Sequence, residues 1–385
     1  MATENNNKTL NVPNLRFPEF SGEWESNELH KVASLSKGAG ISKDQLSDSG
    51  HPCILYGELY TKYKSEIIRE VYSKTQLDVA NLVKSHTNDV IIPCSGEAAI
   101  EIATARCVLI PDVLLGGDLN IIRLNGRHDG GFFAYQLNGK RKVDIAKVAQ
   151  GVSVVHLYGE HLKKVKVAYP SLEEQQKISS FLALLDERIA TQIKIIEDLK
   201  KLKSAIRARV FKQLESNCEC WTEIGNMLQY EQPSKYLVAS TEYSDSYATP
   251  VLTANKAFIL GYTDEEFGIY SKGECLIFDD FTMDVKFVNF PFKVKSSAIK
   301  ILTSNSGNDL YFVYEYLQNL GLVSEEHKRH YISEIEPMIV ACPTFEEQQN
   351  ISNLLRSFDS KIEYANRELT LYNKQKQYLL SQMFI

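Results

Sequence analysis

PSLEEQQKIS at 170–179 returns as PTFEEQQNIS at 343–352, 173 positions later. Ser171-x-x-Glu174 and Thr344-x-x-Glu347 each spell a capping box, in which the hydroxyl accepts an early helical N–H and the glutamate reaches back to the cap's own N–H. Both stretches therefore start helices. Glu173, Glu174, Glu346 and Glu347 fall in the first turn, where the helix dipole favours negative charge, so these paired carboxylates are explained without catalysis.

Downstream of the first cap, 4-3 spacing picks out Ile178, Leu182, Leu185, Ile189, Gln192, Ile196, Leu199, Lys203, Ile206 and Val210. Downstream of the second it picks out Ile351, Leu355, Phe358, Ile362, Ala365, Leu369, Tyr372, Lys376, Leu379 and Met383. Both are heptad seams. Neither stretch contains Pro or Gly from its cap to about residue 214 or 384, so each predicts a helix of about 40 residues, roughly 60 Å long. Two helices of one length and one seam pattern should pair. A lysine interrupts both seams at the same place, Lys203 and Lys376, and the simplest expectation is that each snorkels out to water. The sharper alternative is a register marker or a contact for a third element. Aligned without gaps, 170–211 and 343–384 share 13 of 42 residues, an internal duplication with a domain-sized period.

The duplication divides the 385 residues into 1–169, a long helix over 170–216, a second block over 217–342 and a second long helix over 343–385. Each block alternates short apolar runs with turn residues, which predicts a mixed α/β globule. Candidate strands are 90–92, 107–110, 119–124, 131–137, 249–252, 275–278, 285–290 and 298–302. Trp24 and Trp221 open the blocks. Helical stretches at 144–149 and 309–319 precede closing apolar strands at 165–168 and 338–341. No apolar run approaches the ~18–20 residues of a membrane span, and the polar start MATENNNKTLN lacks a secretory pattern, so a cytoplasmic protein with reduced cysteines is expected. The seven cysteines are scattered, and Cys218-Glu-Cys220 lacks the spacing and second ligand pair of a zinc site.

Net charge is −6, of which the second block alone, 217–343, carries −9. That is not the basic balance of a protein gripping nucleic acid unaided, so any such role needs local cationic patches or a partner that supplies phosphate contacts. In YGELYTKYK at 56–64, Tyr56, Tyr60 and Tyr63 interleave with Lys62 and Lys64, while Arg123, Arg127 and His128 flank an Asn-Gly turn. Cations for phosphates and aromatics for hydrogen bonds or stacking suit DNA contact. The competing reading is a tyrosine-rich strand with solvated lysines. In the second block the comparable residues are Lys256, Tyr262, Lys272 and Lys286, with Lys293, Lys295 and Lys300 beyond them. No methyltransferase cofactor loop or catalytic tetrapeptide, Walker loop, HExxH helix or GxSxG elbow occurs, and His86, His128, His156 and His161 lack partner spacing and read as structural. No catalytic, cofactor-binding or metal residue is assigned to this chain.

At this point the layout resembles the specificity subunit of type I restriction-modification systems. A leader like VPNLRFPEFSGEW (12–24), two blocks each closed by a proline, a hydroxyl residue and an EQ-containing helix start, and long heptad helices at the middle and end carry the resemblance over essentially the whole chain. It implies an α+β fold: two mixed α/β target recognition domains in pseudo-two-fold arrangement, separated by two long helices pairing as an antiparallel coiled coil. Each block would read one half of a bipartite site in double-stranded DNA, and the helices would act as a ruler. They would also form a platform for two methyltransferase subunits. Restriction subunits would join the full complex, with S-adenosylmethionine, ATP and Mg expected in those partners and no membrane involved. The recognition blocks vary between members, so the DNA-facing residues named above stand on their chemistry alone.

Two other readings compete. One is a non-catalytic coiled-coil scaffold joining two protein-binding domains. The other is an autonomous nuclease built on Asp279, Asp280 and Asp284 with Lys286, which predicts metal-dependent cleavage by the isolated chain.

Overall fold

The computed structural model describes residues 10–151, 154–253, 258–324 and 329–385. The chain forms two compact units, residues 1–193 with 367–385, and residues 194–366. Each unit takes one half of each long helix.

The repeated caps start the helices Leu172–Asn217 and Phe345–Gln382. The second box is complete: the Glu347 N–H donates to Thr344 Oγ1 (3.4 Å), and the Thr344 N–H donates to Glu347 Oε2 (2.9 Å). The first differs. The Glu174 N–H reaches Ser171 Oγ, but the Glu174 carboxylate is gripped at both oxygens by Arg16 of the leader, each bond 2.7 Å. Every seam position is buried or half-buried. Within the first unit, Arg188 lies over the Tyr372 ring (5.5 Å) and Gln192 donates to Glu368 (3.2 Å), so residue numbers fall on one helix as they rise on the other. The halves in the second unit run the same way, with Lys203 against Asp359. The pairing is antiparallel.

The first unit builds a five-stranded sheet in the order Ala33–Lys37, Leu119–Leu124, Asp89–Pro93, Arg106–Val108, Ile67–Ile68. Beside it His51–Ile54 pairs parallel with Leu114–Leu115 and antiparallel with Ser73–Thr75. The second unit repeats this plan with one strand fewer in each sheet. Its four-stranded antiparallel sheet runs Leu228–Glu231, Ile299–Ser304, Cys275–Asp279, Val285–Val288. Thr249–Leu252 again has one parallel partner, Lys293–Val294, and one antiparallel, Ile259–Thr263. An antiparallel ribbon closes each block, Glu25–Glu28 with Lys166–Tyr169 and Trp221–Glu223 with Ile339–Ala341. The duplication obvious only in the helices thus extends through both sheets.

Between sheet and long helices each unit inserts one apolar helix, Gly130–Asn138 or Leu310–Leu320. Their N-caps are equivalent: Asp129 accepts from the Phe132 N–H and Asp309 from the Phe312 N–H. The duplicated glutamine then clamps each cap. Gln175 accepts from the Asp129 N–H (3.0 Å) and donates to the Pro170 carbonyl (2.9 Å), while Gln348 accepts from Asp309 (2.9 Å) and donates to Pro343 (3.0 Å). Residues 131–137, expected as a strand, are therefore helical. A short run buried on all sides carries no periodicity to separate the two states, and the Asp129 cap decides it.

The seam lysines also depart from expectation. Lys203 and Lys376 do not snorkel; their side chains are only 13% and 14% exposed. Lys376 lies 2.5 Å from Glu66 and 2.6 Å from Asp186, and Tyr135 donates to the same Asp186 (2.8 Å). In the second unit Lys203 lies 2.6 Å from Glu315 and 2.5 Å from Asp359, which also takes the Tyr311 hydroxyl. Each lysine meets the aspartate that the other repeat supplies and a buried glutamate, Glu66 or Glu315, which gives the ammonium a partner that water would otherwise provide.

Candidate nucleic-acid interface

In the first unit the stretch 56–64 is one helical turn, Glu58–Thr61, standing between two clefts, so the tyrosine-rich strand does not form. One cleft, of about 900 Å³, is lined by Ser42, Lys43, Gln45, Tyr56, Lys62 and Asp118 among others. Gly38 packs against Gly116 of this lining so closely that a side chain there would overlap the Gly116 carbonyl oxygen. The other, of about 650 Å³, is lined by Tyr56, Tyr60, Gly96, Glu97, Arg106 and Lys142 among others. Tyr56 borders both and is 40% exposed.

The residues proposed from sequence divide by which way they face. Lys64 is exposed, its ammonium donating to the Tyr60 carbonyl (2.9 Å). Tyr60 is half-buried on the wall of the second cleft, and burial raises its phenol pKa. Lys62 is exposed along its stem but its ammonium is held by Glu58 (2.7 Å) and Ser73 (2.6 Å). Tyr63 is a core residue stacked on Tyr72 (5.6 Å). Arg123 makes a two-pronged pair with buried Asp89 (2.9 and 2.8 Å), which holds its pKa above the ordinary value. Arg127 is exposed at the turn, whereas its neighbour His128 is buried edge-on against Phe133 (5.4 Å) and Tyr169 (4.6 Å).

In the second unit Tyr262 is half-buried on the strand Ile259–Thr263, and Lys256 lies outside the described residues. Lys272 is exposed and bonded to both oxygens of Glu231 (2.7 and 2.8 Å); that ammonium, with the Tyr236 hydroxyl, holds Glu231 below the usual carboxylate range. Lys286 pairs with Asp284 (2.8 Å). Lys293 is wholly buried against Glu265 (2.6 Å) and the Phe267 carbonyl (2.7 Å), and Lys300 is buried 3.3 Å from Asp280. The acids of the nuclease reading have local work: Asp279 accepts from Phe281 N and Thr282 Oγ1, and Asp280 accepts from the N–H groups of His330 and Tyr331. Among the described residues no group of three or more His, Cys, Asp or Glu side chains is arranged to hold a metal.

What remains outward in the first unit is a ridge of Tyr56, Lys62 and Lys64 beside Lys43, with Arg127 on a separate turn. Exposed ammonium and guanidinium groups can meet phosphates, and a ridge tyrosine can meet base edges or stack. Lys43 and Gln45 carried no sequence signal: they sit in a loop with a single 3-10 turn, Lys43–Gln45, whose place beside Tyr56 is set by the tertiary fold.

Residues 21–201 match the family described as "Type I restriction modification DNA specificity domain". The chain is 42% identical over 176 residues to the EcoR124I/EcoR124II specificity subunit of Escherichia coli; that match spans 42% of this chain and 44% of the relative, less than half its length. It is 23% identical to a putative type I restriction enzyme MjaX specificity subunit of Methanocaldococcus jannaschii, over 97% of this chain and 96% of the relative. Among solved structures, a type I restriction-modification S subunit from M. genitalium has the same fold, with a TM-score of 0.65 and 16% identity over 97% of this chain and 99% of that one. Among the described residues no helix is long and apolar enough to cross a membrane.

Proposed function

We propose that the chain is a specificity subunit of the type I restriction-modification family, the non-catalytic subunit reading a bipartite double-stranded DNA target, one half per unit. The observation that carries this reading is the repetition itself: two units with one sheet plan, one capped inner helix and one antiparallel helix pair, but different surfaces. A duplicated scaffold with divergent outward residues suits two half-sites of different sequence. In the first unit the ridge of Tyr56, Lys62 and Lys64, with Tyr60 on the wall of the adjoining cleft, is the reading surface, with Arg127 as a phosphate contact. The acidic second unit, whose cations are largely paired, reads its half with partner subunits supplying phosphate contacts. Methyltransferase subunits dock on the long helices and restriction subunits complete the assembly in the cytoplasm. S-adenosylmethionine, ATP and Mg act in those partners.

The test exchanges residues 11–169 for the corresponding block of another family member and maps methylated bases by long-read sequencing of the host genome. One half-site should change and the other persist. A change in both halves, or in neither, would contradict the modular reading.

A further inference from the structure

The cysteines sort into two groups. Cys53, Cys94, Cys107 and Cys275 are buried in sheet cores, where burial pushes the Cys53 and Cys94 thiols up to about 11 and Cys275 up to about 12. Such thiols are inert. The other three, Cys218, Cys220 and Cys342, are exposed or half-buried and all line one cleft of about 620 Å³ in the second unit. Cys342 stands far from the other two in the chain but meets them because the closing ribbon brings its ends together.

That ribbon fixes the geometry. Its register pairs Trp221 with Ala341, Thr222 with Val340 and Glu223 with Ile339, so the next opposed position is Cys220 with Cys342. The Cys342 N–H donates to the Cys220 carbonyl (2.9 Å), which continues the ladder to that position. Directly opposed residues of an antiparallel pair have Cα atoms about 4.5–5.5 Å apart and side chains on one face. Both spacings fall inside the roughly 4.4–6.8 Å range that a disulfide spans. Cys218 is already engaged, its thiol donating to the Cys220 carbonyl (3.1 Å). Cys220 is the most exposed of the three, and Cys342, beside Asn308 and Gln348, is the more sheltered.

We infer that Cys220 and Cys342 form a reversible cross-strand disulfide when the protein meets a peroxide. The Cys220 thiol gives up its proton, the thiolate attacks one peroxide oxygen, the O–O bond breaks, and the leaving hydroxide takes up that proton as the first water, giving a sulfenic acid. The Cys342 sulfur then attacks the oxidised sulfur, the S–O bond breaks, and a second water is released as the S–S bond forms. Two thiols are oxidised by two electrons and one peroxide is reduced to two waters. Burial and the two neighbouring thiols hold the Cys342 pKa above its ordinary value, which leaves the first attack to Cys220. The bridge would fasten the first strand of the second block to its last, between the end of one long helix at Asn217 and the cap of the other at Thr344.

The experiment treats the full chain with hydrogen peroxide, alkylates remaining thiols and maps peptides by mass spectrometry without reductant. The expected result is loss of two alkylatable thiols, a Cys220–Cys342 crosslinked peptide two hydrogens lighter than its parts, and recovery of both thiols with dithiothreitol. Cys218→Ser should keep the crosslink, and Cys220→Ser, a change at an exposed position, should abolish it. A Cys218–Cys220 bond, bonds between chains only, or three thiols still alkylated after treatment would each overturn the inference.

Discussion

His128 illustrates how far residue type alone reaches. An Asn-Gly turn flanked by Arg127 and His128 suggests a cationic tip, yet only the arginine faces out. The imidazole is buried on Phe133 and Tyr169, and burial outweighs the nearby Glu25 carboxylate, lowering its pKa below the ordinary 6.5. A folded-state pKa below the unfolded one means the unfolded chain binds more protons as pH drops through about 6.5. Stability is therefore full above that value and falls below it, by at most about 1.4 kcal/mol per pH unit from this group. In urea unfolding, His128→Phe should lose less stability than the wild type between about pH 7.5 and pH 5.5; equal losses would remove the burial argument. Tyr63 and Arg123 teach the same lesson. Composition tells that a side chain can meet DNA, but which face it takes depends on pairings, such as Arg123 with Asp89, made by strands distant in sequence.

At the scale of elements, the long helices were legible because their signals are local: caps, an unbroken 4-3 spacing and no Pro or Gly. Residues 131–137 were not, since GGFFAYQL is buried all round and its decisive signal, the Asp129 cap clamped by Gln175, acts through a helix start 46 residues away. The seam lysines were visible as exceptions, but their partners were not: Glu66 comes from a strand edge in the first block, and Glu315 from the inner helix of the second. Breaking a buried pair by removing one partner leaves an uncompensated charge and typically costs about 3–5 kcal/mol. Lys376→Met should therefore destabilise the chain by that order in urea unfolding, and adding Glu66→Gln and Asp186→Asn should recover most of the loss. A change no larger than about 1 kcal/mol, as for an exposed pair, would return Lys376 to a snorkelling role.

For the whole molecule, the repeat seen in 42 aligned residues stands for a much larger one that sequence could not display. The blocks share the order of four main-sheet strands, one parallel and one antiparallel pairing beside them and a capped inner helix, while their side chains have diverged. Topology is set by where apolar strands and turns fall, which many sequences satisfy, so the scaffold persists as its surface changes. On the proposed function, these long helices set the distance between the two reading units. The unit boundaries at 193/194 and 366/367 mark where a heptad can be inserted in both helices without disturbing either lysine box. Seven residues add about 10.5 Å of helix, about three base pairs at roughly 3.4 Å each. Long-read mapping of methylated bases in a host carrying that double insertion should show the same two half-sites with the unread gap longer by about three base pairs. An unchanged gap, or new bases in either half-site, would contradict the account.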